Sequence, residues 1–101
     1  MASVQEFFDG LQARVTADRI AGVNNTYVFE IEGAGTWTVA IADGALTVTD
    51  GAGEGDVTIS ASEESFEKIV AGEQNPTTAY MTGKLKIKGD MGAAMKLQKL
   101  F

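Results

Sequence analysis

Glu63, Glu64 and Glu67 are the nearest this chain comes to paired carboxylates for acid–base chemistry. They follow Ser62 at the start of a helical apolar pattern, and acidic side chains are favoured there by the helix dipole without any catalytic role. The stretch Asp50-Gly51-Ala52-Gly53-Glu54-Gly55-Asp56 has something of a calcium loop, but Ala52 occupies a ligand position and the glycines are misplaced. No helix follows those glycines, so a dinucleotide-binding fingerprint fails as well. The 101 residues include no histidine and no cysteine. That removes the commonest general base, the commonest transition-metal ligand and the Ser–His and Cys–His nucleophile pairs. A net charge of −6 argues against nucleic acid as a partner. The expectation is a protein with no catalytic residues, metal or cofactor.

The residues that remain are suited to apolar binding. On a helical wheel at about 100° per residue, Leu97, Phe101, Ala94, Gln98, Met91 and Met95 fall across one arc of a C-terminal helix. Gln98 lies in the middle of that arc, and a buried amide without a partner costs about 1–3 kcal/mol. It therefore meets either the polar end of a ligand in an apolar cavity or a nearby backbone group. Met81, Met91 and Met95 are three of the four methionines, the fourth being Met1. Thioether side chains adapt to irregular surfaces, whether core or binding site. Residues 84–101 hold Lys84, Lys86, Lys88, Lys96 and Lys99 against a single Asp90, a positive patch on an acidic chain. Such lysines serve either anionic head groups and membrane surfaces or the protection of a sheet edge from aggregation.

The elements that position these residues are legible from periodicity. Val4, Phe7, Phe8, Leu11 and Val15 recur at helical spacing, with polar residues between them. Four stretches of period-two alternation follow, and a fifth comes later. Their apolar positions are Tyr27, Phe29 and Ile31; Trp37, Val39 and Ile41; Leu46 and Val48; Val57 and Ile59; and Leu85 and Ile87. Asp43-Gly44 is a two-residue hairpin signal between the second and third strands. Ser62 is a cap for a helix through Val70 with Phe66, Ile69 and Val70 inward. Asn75-Pro76 opens a short helix carrying Tyr80 and Met81 inward to a stop at Gly83, and Asp90 caps the last helix. Strands with one dry face exclude a doubly covered parallel sheet. The fold class is α+β, with a five-stranded, mostly antiparallel sheet and all helices on its dry face, as one domain over residues 1–101.

The run Asn75-Pro76, Gly83-Lys84-Leu85-Lys86-Ile87-Lys88-Gly89, Met91-Gly92 and Ala94-Met95-Lys96-Leu97-Gln98 resembles the C-terminal signature of the sterol carrier protein-2 (SCP-2) family. Trp37 before an Asp-Gly hairpin, and Asp56-Val57-Thr58-Ile59 running into a helix, fit the same family, so the resemblance covers nearly the whole chain. It implies a two-layer fold enclosing an apolar tunnel for sterols, fatty acids, acyl-CoA esters or phospholipids, and a domain that transfers or presents lipid without catalysis. The family motif makes Met91, Met95 and Gln98 ligand-facing. The apolar faces add Phe7, Phe8, Leu11, Phe66, Ile69, Tyr80, Met81, Ile87 and Phe101 as expected ligand contacts. Ala93 departs from the family, where a larger Leu is often found.

The expected function is non-enzymatic binding and transfer of a hydrophobic lipid in a tunnel closed by the C-terminal helix. The alternative is a docking module for a lipid- or acyl-CoA-metabolising enzyme, contacted through the lysine patch. The longest uncharged run is ten residues, short of the roughly 20 that span a bilayer. With neither a signal peptide at Met1–Glu6 nor a peroxisomal address at Lys99-Leu100-Phe101, a cytoplasmic location is expected.

Overall fold

The computed structural model describes residues 4–96 apart from 17, 19 and 52. Nine elements follow in order: α1 (Val4–Arg14), β1 (Asn25–Glu32), β2 (Gly35–Ala42), β3 (Ala45–Asp50), β4 (Val57–Ser62), α2 (Glu63–Val70), α3 (Pro76–Met81), β5 (Leu85–Gly89) and α4 (Met91–Lys96). The strands form one sheet in the order β3-β2-β1-β4-β5. Three of its pairings are antiparallel, and β1 with β4 is parallel. The sheet is thus mixed but mostly antiparallel, as expected.

Alternation sets the two faces. Tyr27, Phe29, Ile31, Trp37, Val39, Ile41, Val57 and Ile59 are buried on one side, in a core that also takes in residues of all four helices. Phe8 of α1 is its centre. It stacks on Trp37 with ring centroids 4.6 Å apart and on Phe66 at 5.6 Å, while Phe29 and Phe7 meet it edge-on at 5.2 Å each. Offset stacks and edge contacts of this kind add to the gain from burial.

The other face is wet, with one exception. Val28 points that way and is buried. The β3–β4 connection crosses above it, close enough that a Cβ on Gly55 would come within 2.9 Å of both the Thr26 carbonyl oxygen and Val28 Cγ2. The glycines there permit close backbone approach. Asp56 completes the strap by accepting the Thr26 N–H at 2.8 Å, a structural role for a carboxylate of the apparent calcium loop.

Helix ends follow the local signals. Ser62 Oγ accepts the Ser65 N–H at 3.2 Å, and the first-turn Glu64 pairs with Lys68 at 3.4 Å. The acidic trio therefore belongs to α2's N-terminal turns. Among the described residues, no helix is long and apolar enough to cross a membrane, and no group of three or more Asp or Glu is placed to hold a metal ion.

Candidate functional site

The expected ligand contacts divide into a closed group and an open one. Phe7, Phe8, Leu11, Phe66 and Ile69 are buried between α1, α2 and the sheet, and the three Phe rings are packed against one another. Ile87 is half-buried against this core. Tyr80, Met81, Met91 and Met95 are exposed, by 41%, 80%, 44% and 72%. The inward direction expected for Tyr80 and Met81 is therefore corrected: in α3 the buried residue is Ala79. In the last helix Ala94 faces the core as its place on the expected arc requires, but Ala93 joins it there while Met91 and Met95 turn outward. Leu97, Gln98, Lys99 and Phe101 lie outside the described residues.

Contact geometry explains both corrections. α3 opens on the Asn75 side chain, which accepts the Thr77 and Thr78 N–H groups at 2.8 and 3.4 Å. It closes with Lys84 N–H donating to the Ala79 carbonyl at 2.9 Å and Gly83 N–H to that of Tyr80 at 3.2 Å, the paired bonds of a Schellman end. In so short a helix, clamped at both ends, Ala79 alone among the residues of described burial turns fully inward. α4 is held similarly. Asp90 accepts the Gly92 and Ala93 N–H groups at 2.9 and 3.3 Å, while its own N–H donates to the Asp56 carbonyl at 3.0 Å.

A third tie was not foreseen. The Tyr27 hydroxyl, rising from the dry face of β1, donates to the Ala93 carbonyl at 2.6 Å. A phenol can reach the backbone of α4 only if that helix lies close to the sheet, so its contact face carries alanines. A signal was present in the sequence, because a tyrosine on the dry face of a strand needs a partner for its hydroxyl.

Burial, with Asp56 and Asp90 nearby, pushes the Tyr27 hydroxyl up to about 12 from the usual 10. The neutral phenol is the folded form, so its contribution to stability is complete below pH 10 and is lost as pH rises towards 12. Tyr27→Phe should cost about 1 kcal/mol at neutral pH from the lost hydrogen bond. It should also flatten the fall in stability between pH 10 and 12, as read by denaturant melts of the two proteins side by side.

Lys84, Lys86, Lys88 and Lys96 are exposed. Alternation along β5 turns Lys86 and Lys88 away from Leu85 and Ile87, and so away from the face covered by the helices. The lysine row and the methionines thus lie on opposite faces of one edge strand.

A model of the SCP-2 sterol transfer family matches residues 5–101. Hydroxysteroid dehydrogenase-like protein 2 of Xenopus tropicalis is 36% identical over 101 residues, covering 96% of this chain and 24% of that protein. The chain thus spans about a quarter of the length of the curated relatives it matches. The solution structure of the sterol carrier protein domain 2 of Helicoverpa armigera superposes with a TM-score of 0.81 at 32% identity, over 96% of this chain and 84% of that one. The stereoselective inverting sec-alkylsulfatase Pisa1 from Pseudomonas sp. superposes with a TM-score of 0.81 at 25% identity, over 98% of this chain and 16% of the enzyme.

Proposed function

The chain belongs to the SCP-2 sterol transfer family, and from that premise we propose that it binds a hydrophobic lipid and transfers or presents it without catalysing a reaction. The ligand classes are fatty acid, fatty acyl-CoA, phospholipid and sterol-like molecules. The observation that carries this reading is the placement of Tyr80, Met81, Met91 and Met95. Among the described residues these are the exposed large hydrophobics, and all four stand on α3 and α4, which pack against β5.

So short a helix as α3 has little intrinsic stability and depends on its caps, while α4 is held by the Asp90 cap, the Tyr27 bond and the alanine contacts. Outward movement of α4 would open a path from the methionines past Ile87 towards Phe66 and Phe8. That path is the apolar tunnel of this reading, with α4 as its lid. A sixteen-carbon chain gains roughly 12 kcal/mol gross at about 0.8 kcal/mol per buried CH₂. Ordering and association remove much of that, which still leaves micromolar affinity without a strong polar anchor.

Met81→Gln combined with Met95→Gln should weaken binding of a fluorescent fatty acid roughly tenfold. Because both side chains are exposed, the melting temperature should stay unchanged. Unchanged affinity in a folded double variant would remove α3 and α4 from the site.

The length of the relatives favours a second reading. A domain equal to about a quarter of a dehydrogenase-like chain suits an accessory module that presents lipid to an attached or partner enzyme. Lys84, Lys86, Lys88, Lys96 and Lys99 are its candidate docking residues. Pull-downs whose captured enzyme is lost on charge reversal of these lysines would favour it over a free carrier.

A further inference from the structure

A groove of about 910 Å³ opens at the opposite end of the sheet from α4, where the β1–β2 turn, the start of α2 and the start of β5 meet. None of the expected lipid contacts lines it. Its polar groups are set in rows by the strand register. Lys86 pairs with Ser60 and Ser60 with Glu30, which puts those three side chains in one line across the open face. One row nearer the turn, Glu32 pairs with Ser62, and Lys84 stands two residues before Lys86.

Lysines therefore bound one side of the groove and glutamates the other, with serines between. Ser60 Oγ donates to Glu30 Oε1 at 3.3 Å, drawing that carboxylate towards the middle. Among the described residues, none of Lys84, Lys86, Glu30 and Glu32 forms an ion pair. β5 and β1 are two strands apart, about 10 Å at 4.8 Å per step. With Glu30 drawn over the middle strand, that backbone spacing is an upper bound on the span between the rows, and two charged contacts of about 2.8 Å each leave at most roughly 4 Å between the opposite charges of a bridging ligand.

We propose that this groove binds a small zwitterion with a phosphate and an ammonium group about that far apart, of the phosphoethanolamine kind. The phosphate lies on Lys84 and Lys86, where two cations and neighbouring hydroxyls suit its several oxygens. The ammonium lies on Glu30 and Glu32. A ligand of one charge would meet attraction on one wall and repulsion on the other. The charged row is on the face opposite the methionines, so this site stands independently of the lipid reading.

The test is an NMR chemical-shift titration of the whole chain with phosphoethanolamine, using glycerol 3-phosphate and ethanolamine as single-charge controls. Shifts should map to the groove, and both controls should bind at least about fivefold more weakly, the effect of losing one partly exposed ion pair. Lys86→Ala and Glu30→Ala should each cost a similar factor, the exchange Glu30→Lys with Lys86→Glu should recover part of it, and the Met81→Gln, Met95→Gln variant should bind normally. Dihexanoyl phosphatidylethanolamine separates the sources: equal binding assigns the groove to a lipid head group, and binding of phosphoethanolamine alone assigns it to the free zwitterion. The proposal is overturned if phosphoethanolamine gives no groove shifts, binds no better than the controls, or binds equally to both alanine variants.

Discussion

Phe8→Ala should cost about 3–5 kcal/mol, the range for emptying an aromatic site in a packed core. The ring lies between Trp37 and Phe66 and takes edge contacts from Phe7 and Phe29, so its removal leaves four aromatic neighbours facing a void. Those neighbours come from α1, α2, β1 and β2, and none can close the gap without moving its own element. A domain of this size is stable by only about 5–15 kcal/mol in all. The variant should therefore show a much reduced denaturation midpoint and a weakened near-ultraviolet signal from Trp37. Phe8→Leu, which retains most of the volume, should lose far less. A midpoint unchanged in Phe8→Ala would mean that the aromatic cluster does not hold the two layers together.

The second large effect is expected at Gly89, where β5 ends. Its backbone has φ of +115°, and a Cβ added there would overlap the Asp56 carbonyl oxygen and lie 3.2 Å from Val57 Cα. Gly89→Ala thus combines a backbone conformation unsuited to side chains with a clash against a neighbouring strand, at a cost of about 2–3 kcal/mol or more. The damage should be local before it is global. The same Asp56 carbonyl accepts the Asp90 N–H, and Asp90 caps α4. Pushing β5 from β4 at this point should release the last helix ahead of the sheet. Hydrogen exchange should rise first at Gly92 and Ala93, while Phe29 and Val39 in the central strands stay protected. Uniform exchange across all of these sites would show that α4 and the sheet unfold as a unit.

How much could be read from the residues follows from how local each signal is. The five strands, the side each presents to the core, and the caps at Ser62, Asn75 and Asp90 depend on neighbours a few positions away, and the structure has them as expected. The parallel pairing of β1 with β4 joins residues about 30 positions apart, and no local pattern marks it. The facing of Tyr80 and Met81 differs from the expectation because the six residues of α3, fewer than two turns, do not define a buried direction. In α4 the outward Met91 and Met95 go with the close approach that the Tyr27–Ala93 bond imposes. Nothing in β1 itself reveals the glycine strap that buries Val28 on the wet face. The zwitterion groove was beyond reach for the same reason: its walls come from β1, β4, β5 and the turns between elements, and they meet only after folding.

Whether the chain holds a lipid is decided by native mass spectrometry of the purified protein before and after incubation with palmitate and palmitoyl-CoA. A one-to-one lipid adduct is expected, either carried through purification and identified by organic extraction or formed on incubation, and weakened in the Met81→Gln, Met95→Gln variant. A chain that carries no lipid and forms no adduct with either ligand would contradict it.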